Sequence, residues 1–235
     1  MARLVVSWSG GKDSLLALLR AWDEGHQVCG LLTTVSEPFG RVTMHGVRRE
    51  LVQAQAHALG LPYWEVTLPP PSAEDGCPLC PLDASPAGLV PNTTYERVWL
   101  ASLEPLVREG VEGVVFGDVA LADVRQFRQR LVGLLGLTAH FPLWGEDPQR
   151  LWQEFGEGKG VATVVCCQAD LAFLLGTCVS TGFACSLPPA VDPGGEHGEF
   201  HTFVVTHRRF SQPIDIVRGE QIARNGFLWQ DLRLA

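Results

Sequence analysis

The run Ser9-Gly10-Gly11-Lys12-Asp13-Ser14 gathers hydroxyls, glycines, an ammonium and a carboxylate into six consecutive positions. It follows a short apolar run, Leu4 to Trp8, and opens a Leu-rich helical pattern from Ser14 to Arg20. A strand, a tight loop and a helix N-terminus in that order present unpaired backbone N–H groups, where anions are favoured. The chemistry this suits is the cradling of phosphate. The spacing is not that of a Walker A loop, because Asp13 follows Lys12 and the first glycine of that motif would fall on Val6. It is not the dinucleotide G-x-G-x-x-G pattern either. The plain structural alternative is a tight turn with a Ser or Asp helix cap.

Two more groups carry chemistry. Gly117-Asp118 follows the apolar run Val114 to Phe116, which puts Asp118 at the carboxyl edge where open α/β sheets bind ligands. Downstream, Arg125 and Arg128 lie three apart on a predicted helix, so that both guanidinium groups can reach one anion. The stretch Glu196-His197-Gly198-Glu199-Phe200-His201-Thr202 packs two carboxylates, two imidazoles and a hydroxyl into seven residues after the turn Asp192-Pro193-Gly194-Gly195. If it leaves the turn as a strand, Glu199 and His201 share a face and Phe200 points into the core. Glu196 and Glu199 can hold magnesium or accept a proton from an attacking amine. His45 and Arg48 are further candidate ligand contacts. Each has a structural alternative: a helix cap for Asp118, a solvated helix face for the arginines, a polar loop for the acidic stretch, a surface pair for His45 and Arg48.

Periodicity supplies the elements that position these residues. Strands are expected at Leu4 to Trp8, Val28 to Thr34 and Tyr63 to Leu68, with a helix from Val47 to Leu59 closed by Gly60. That βαβαβ rhythm predicts a parallel sheet with helices on both faces. Pro69 to Pro91, rich in proline, reads as a loop or insertion. Alternation resumes with helices at Thr94 to Val107 and Ala122 to Leu135 around the strand Val114 to Phe116. A helix at Pro148 to Phe155, a strand at Val161 to Val165 and a short helix at Leu171 to Leu175 follow. Phe203 to Val205, Ile214 to Val217 and Phe227 to Leu232 read as short strands. The fold class is therefore α/β, a parallel sheet with helices on both faces. A boundary near residue 140 sets off a smaller C-terminal mixed region, 141–235, whose Gly-rich loop faces the site.

With 235 residues and 46% hydrophobic content the chain can bury a sizeable core, and no apolar run reaches the roughly 20 residues of a membrane helix. Membrane attachment is not expected, and a cytoplasmic location is. The formal charge of −8 disfavours nucleic acid as a partner. Seven scattered cysteines are unlike a secreted disulfide framework, so reduced thiols are expected. Cys77 and Cys80 have the spacing of a half-site for zinc, an iron-sulfur cluster or redox exchange, but one pair is not four ligands. Cys166 and Cys167 end an apolar strand and read as buried. A homo-oligomer is compatible with this composition.

The loop at Ser9 to Ser14 resembles that of the PP-loop ATP pyrophosphatases, of the adenine nucleotide alpha hydrolase-like fold, which cleave ATP between the α- and β-phosphates. The resemblance implies that Ser9, Gly10, Gly11, Lys12 and Ser14 hold the pyrophosphate end, with Asp13 close by through a magnesium ion. Further markers are Met44-His45-Gly46-Val47-Arg48, Phe116-Gly117-Asp118 with Arg125, Phe141-Pro142-Leu143-Trp144, and the closing Gly-Glu-x-Gly-Glu-x-x-Thr at Gly195 to Thr202. Together they resemble one branch of that group, the diphthine-ammonia ligase family, which amidates a carboxylate through an acyl-adenylate. This implies ATP and magnesium as cofactors, Lys12, Asp118, Glu196 and Glu199 as catalytic groups, and Asp13, Glu196 and Glu199 around the metal. His45, Arg48, Arg125, Arg128 and His201 would meet the substrate, a carboxylate on a small molecule or a protein, with ammonia or an amine as nitrogen donor. Typical ligases read Glu-Gly-Gly-Glu-Tyr-Glu-Thr where this chain has Glu-His-Gly-Glu-Phe-His-Thr, a change that resembles bacterial members and leaves the acid open. The runner-up is a PP-loop enzyme that transfers sulfur to tRNA through Cys77 and Cys80. A third reading is an adenine-nucleotide sensor without chemistry.

Overall fold

The computed structural model describes residues 1–70 and 92–235. The expected insertion, with Cys77 and Cys80, falls almost wholly outside the described residues. The chain begins with β1 (Arg3–Ser7), whose Leu4, Val5 and Val6 are fully buried. Gly10 turns the backbone at φ +81°, and α1 (Lys12–Asp23) starts at once. The helix buries Leu15, Leu16 and Leu18 completely, as its leucine-rich pattern requires.

Next come β2 (Gln27–Ser36), the two-residue β3 (Arg41–Val42), α2 (Arg49–Leu59) and β4 (Tyr63–Leu68). Gly60 closes α2 in the left-handed conformation. Beyond the undescribed stretch are α3 (Asn92–Arg108), β5 (Gly113–Val115), α4 (Ala122–Gly133) and β6 (Thr138–His140). The parallel strands lie in the order β4-β2-β1-β5-β6, while β3 pairs antiparallel with the end of β2. The order reverses between β1 and β5, because the connection after β4 carries the chain past both earlier strands. Open α/β sheets bind ligands at such a switch point, beyond the carboxyl ends of the strands.

Helix α5 (Pro148–Glu157) is capped by Asp147, whose carboxylate accepts from the Gln149 N–H, and has proline in its first turn. It leads into a second, wholly antiparallel sheet. Its strands are β7 (Val161–Gln168), β8 (Cys178–Val179), β9 (Phe200–Thr206), β10 (Ile216–Arg224) and β11 (Phe227–Leu234). The order is β10-β11-β7-β8, with β9 along the other side of β7. A 3-10 stretch, Ala169–Leu174, and the single-turn α6 (Phe183–Ser186) fill the connections.

The first sheet has a core on each face. One cluster joins α1 and α2 to α5 and the second sheet, through residues such as Leu16, Val52, Phe155 and Phe203. The other packs α3 and α4 beneath Val5, Val114 and Phe116. The two sheets thus share one continuous apolar cluster. Among the described residues no helix is long and apolar enough to cross a membrane. The described cysteines are free, and Cys166 and Cys167 are buried in β7, where burial pushes the Cys167 thiol up to about 11.

Candidate active site

Helix α1 begins without a side-chain cap, at Gly11. Its first N–H, that of Lys12, is taken by the Thr202 hydroxyl at 3.2 Å, which ties β9 of the second sheet to the loop. Ser9 Oγ accepts the Gly11 N–H at 3.3 Å and lies 3.2 Å from Ser14 Oγ, while Ser14 donates to the Gly11 carbonyl at 2.9 Å. The hydroxyls therefore brace the loop from within. A Cβ on Gly10 would stand 2.8 Å from Gln55 Oε1 and 2.9 Å from Val52 Cγ1, at a positive φ that other residues rarely adopt.

Gln55 locks this arrangement. It is fully buried on the apolar stripe of α2, accepts from Trp8 Nε1 at 3.0 Å, and donates to the carbonyls of Gly10 at 3.0 Å and Val204 at 2.7 Å. Val204 N in turn donates to the Gly10 carbonyl at 2.9 Å. Sequence reasoning missed this residue. The available signal was a polar residue four positions after Leu51, among apolar ones.

A cavity of about 570 Å³ opens at the α1 N-terminus. Ser9, Gly11, Lys12, Asp13 and Ser14 line it, with Asp118, Arg128, Glu196, His45 and His201. Gly10 lies behind the loop. The Lys12 side chain is only 1% exposed, pairs with the Asp13 carboxylate and lies 4.9 Å above the centre of the Trp152 ring. Gly117 lets the end of β5 meet the loop, since a Cβ there would stand 2.9 Å from the Asp13 carbonyl carbon and oxygen.

Glu196, in the turn that leads into β9, closes the cavity from the other side. Its Oε2 accepts the N–H groups of Val119 at 3.2 Å and Ala120 at 3.1 Å. Burial raises its pKa, and the facing charge of Asp13 adds to the rise. Among the described residues no group of three or more His, Cys, Asp or Glu side chains is set to hold a metal. Glu199 does not join Asp13 and Glu196: Gly198 turns the chain at φ +81°, β9 starts only at Phe200, and Glu199 Oε2 accepts the His197 N–H at 3.0 Å. The strand alternation expected to carry Glu199 with His201 does not reach back that far. Asp13 and Glu196 remain, two carboxylates near enough to repel, which suits a magnesium ion that takes one or two carboxylates plus phosphate and water.

His45 and His201 stand together on the Gly11 side of the loop, ring centres 4.5 Å apart. Each keeps some surface open to the cavity, yet burial lowers His45 to about 4 and His201 to about 3, so both are neutral near pH 7. Among the described residues His45 Nδ1 is buried without a hydrogen-bond partner.

The arginines divide. Arg128 Nε lies 2.8 Å from Asp118 Oδ2, and its guanidinium sits 4.6 Å from the centre of Phe116. The contact is an ion pair without hydrogen-bond direction, and neither atom has a hydrogen-bond partner among the described residues. Arg125 points elsewhere, over Trp144 at 4.5 Å and Phe141 at 5.2 Å, so the two guanidinium groups do not converge on one anion. Arg48 is also outside the cavity. It grips buried Asp231 at 2.8 and 3.0 Å, alongside Arg41 at 2.7 Å and Arg233 at 3.1 Å, and so fastens the start of α2 to β11.

Comparison with known proteins gives a match over residues 2–70 to the family model of the diphthamide synthase N-terminal domain. The resemblance to the diphthine-ammonia ligase branch of the PP-loop group thus holds over the segment bearing the loop and His45. No protein of curated function matches the chain. A crystal structure of a predicted subunit of tRNA methyltransferase from Methanocaldococcus jannaschii is similar, with 16% identity and a TM-score of 0.44, over 88% of this chain and 98% of that one.

Proposed function

We propose that this chain, whose N-terminal domain is of the diphthamide synthase type within the PP-loop group, adenylates a carboxylate with ATP and passes it to ammonia or an amine. The observation that carries the reading is the N-terminus of α1, which has no side-chain cap from its own Gly11 and opens on the same cavity as Asp13, Asp118 and Glu196. Anionic phosphates are favoured at that helix end, and Lys12 adds a positive charge beside it.

In the first step an oxygen of the substrate carboxylate attacks the α-phosphorus, and the bond from that phosphorus to the bridging oxygen breaks. Pyrophosphate leaves, and an acyl-adenylate remains. The N-terminal end of α1 and the Lys12 ammonium offset the charge that grows on pyrophosphate. In the second step the amine attacks the acyl carbon, AMP departs, and Glu196, with its raised pKa, takes up the proton. In the first step Asp13 and Glu196 would hold magnesium together with the phosphates, and the ion would supply charge neutralisation at the leaving group. His45 and His201, neutral, offer hydrogen bonds to phosphate oxygens without adding charge.

The test is to incubate the protein with ATP labelled at the α-phosphorus, magnesium, ammonium and a metabolite extract, and to separate the nucleotides. AMP with stoichiometric pyrophosphate is expected. ADP as product would overturn the mechanism, and tight ATP binding without AMP under any mixture would favour a nucleotide sensor.

A further inference from the structure

On the α3 and α4 face of the sheet the cavity changes character. Leu68, Tyr95, Trp99, Phe116, Phe127 and Leu131 form its wall there. The rings make a chain, Phe127 to Tyr95 at 6.0 Å, Tyr95 to Trp99 at 6.0 Å and Trp99 to Phe116 at 6.2 Å between centres. Trp99 spends its one polar hydrogen on the Thr34 hydroxyl at 3.1 Å, so it offers the cavity only apolar surface. Arg128 stands at the boundary between this lobe and Asp118. Its Nε is unsatisfied, and no hydrogen bond engages its terminal nitrogens among the described residues.

We infer that this lobe holds the body of the acid to be adenylated, and that the acid is a small molecule with an apolar or aromatic body. Arg128 meets its carboxylate. The inference rests on the adenylation reading for its chemistry and on the lobe alone for its selectivity. An apolar body is itself taken out of water against Tyr95 and Phe127, the half-buried members of this wall, whereas a short hydrophilic acid gains nothing there. A cationic body is disfavoured despite the rings. Arg128 already lies on Phe116 at 4.6 Å and Arg130 on Phe127 at 5.3 Å, so two ring faces carry a guanidinium. The phosphate end stays on the loop, and the opposite flank, at His45 and His201, is left for the rest of the nucleotide.

The experiment compares two isosteric acids, one tipped with a tert-butyl group and one with trimethylammonium, together with succinate. AMP formation is followed with ammonium and labelled ATP, and each acid is also titrated calorimetrically onto the protein without nucleotide. The tert-butyl acid is expected to give kcat/KM at least about tenfold above the other two, as burial of one apolar side chain would. Phe127→Ala should erase that preference and leave ATP affinity within about twofold, and Phe127→Leu should restore most of it. Preference for the trimethylammonium acid or for succinate overturns the inference. So does a Phe127→Ala protein that loses ATP affinity while keeping its acid preference, because the lobe would then seat the base. Acid bound in the calorimeter with no AMP formed sinks the adenylation reading and keeps the lobe. AMP formed without acid preference sinks the lobe and keeps the adenylation, and neither binding nor AMP sinks both.

Discussion

Gly117 and Asp13 come together backbone to backbone: a Cβ on Gly117 would stand 2.9 Å from the Asp13 carbonyl carbon and oxygen and 3.1 Å from the Ser14 nitrogen. Asp13 lies in the first turn of α1, just after β1, and Gly117 lies just beyond β5; the two strands are parallel neighbours at the point where the strand order reverses. Their contact sets the width of the cavity floor.

Gly117→Ala should therefore widen or tilt that floor. The obstacle is backbone, which cannot rotate away as a side chain does. We expect about 1–3 kcal/mol of lost stability and a larger proportional loss of ATP affinity. Chemical denaturation and nucleotide titration on the same preparation check this, and an alanine variant with native affinity would contradict it.

Gln55→Leu removes the partner of Trp8 Nε1 and of the Val204 carbonyl in the interior. Buried groups left unsatisfied cost about 1–3 kcal/mol each, and the loop loses its brace against β9. Hydrogen exchange should speed up at Gly10, Gly11 and Val204 before the rest of the core. Uniform exchange would mean that Gln55 merely fills space.

Asp231 is buried, which by itself raises a carboxyl pKa, but the hydrogen bonds from Arg48, Arg41 and Arg233 hold it far below the usual carboxylate range. A carboxylate depressed on folding contributes stability above its unfolded pKa and loses it as pH falls towards the folded value. Asp231→Asn should cost about 3–5 kcal/mol at pH 7, the figure for breaking a buried ion pair. The gap between variant and parent should narrow on acidification below the unfolded value. Denaturant melts across that range, with ATP affinity measured alongside, separate this structural role from binding.

Glu196 shifts the other way, its pKa raised first by burial and then by Asp13. A carboxyl raised on folding stabilises most below its unfolded pKa, and that contribution is lost as pH rises through the folded value. Glu196→Gln should thus gain stability relative to the parent as pH rises towards neutrality, while AMP formation falls. A parent and variant whose melting temperatures run parallel across pH would refute the assignment of that shift.

Much of the fold was legible because strong periodicity is a local property. The apolar strands at Leu4, Val28, Tyr63, Val114 and Val161 and the helices starting near Ser14, Thr94, Ala122 and Pro148 all appear, with ends shifted by a few residues. The short strands β3, β6 and β8 were not anticipated, because two or three residues carry no period and pair only when a neighbour presents an edge. The aromatic lobe left a faint trace in the i, i+4 pair Tyr95 and Trp99, but nothing local links that pair to Phe116 or Phe127.

The tight turn at Ser9 to Ser14 was legible in the sequence, since adjacent glycines and hydroxyls shape it locally, with Ser9 and Ser14 bracing it from within. Whether a more distant side chain joins it was decided by tertiary structure. Arg125 and Arg128 share a helix and a spacing, yet Trp144 claims one and Asp118 the other. Glu196 and Glu199 share a motif, yet one caps Val119 and Ala120 across the cavity while the other folds back on His197. Arg48 looked free to bind a ligand until β11 brought Asp231 beside it. In each case the residue type set what the group could do, and the long-range packing of two sheets chose its partner, because partners distant in the chain meet only once the core between them has formed.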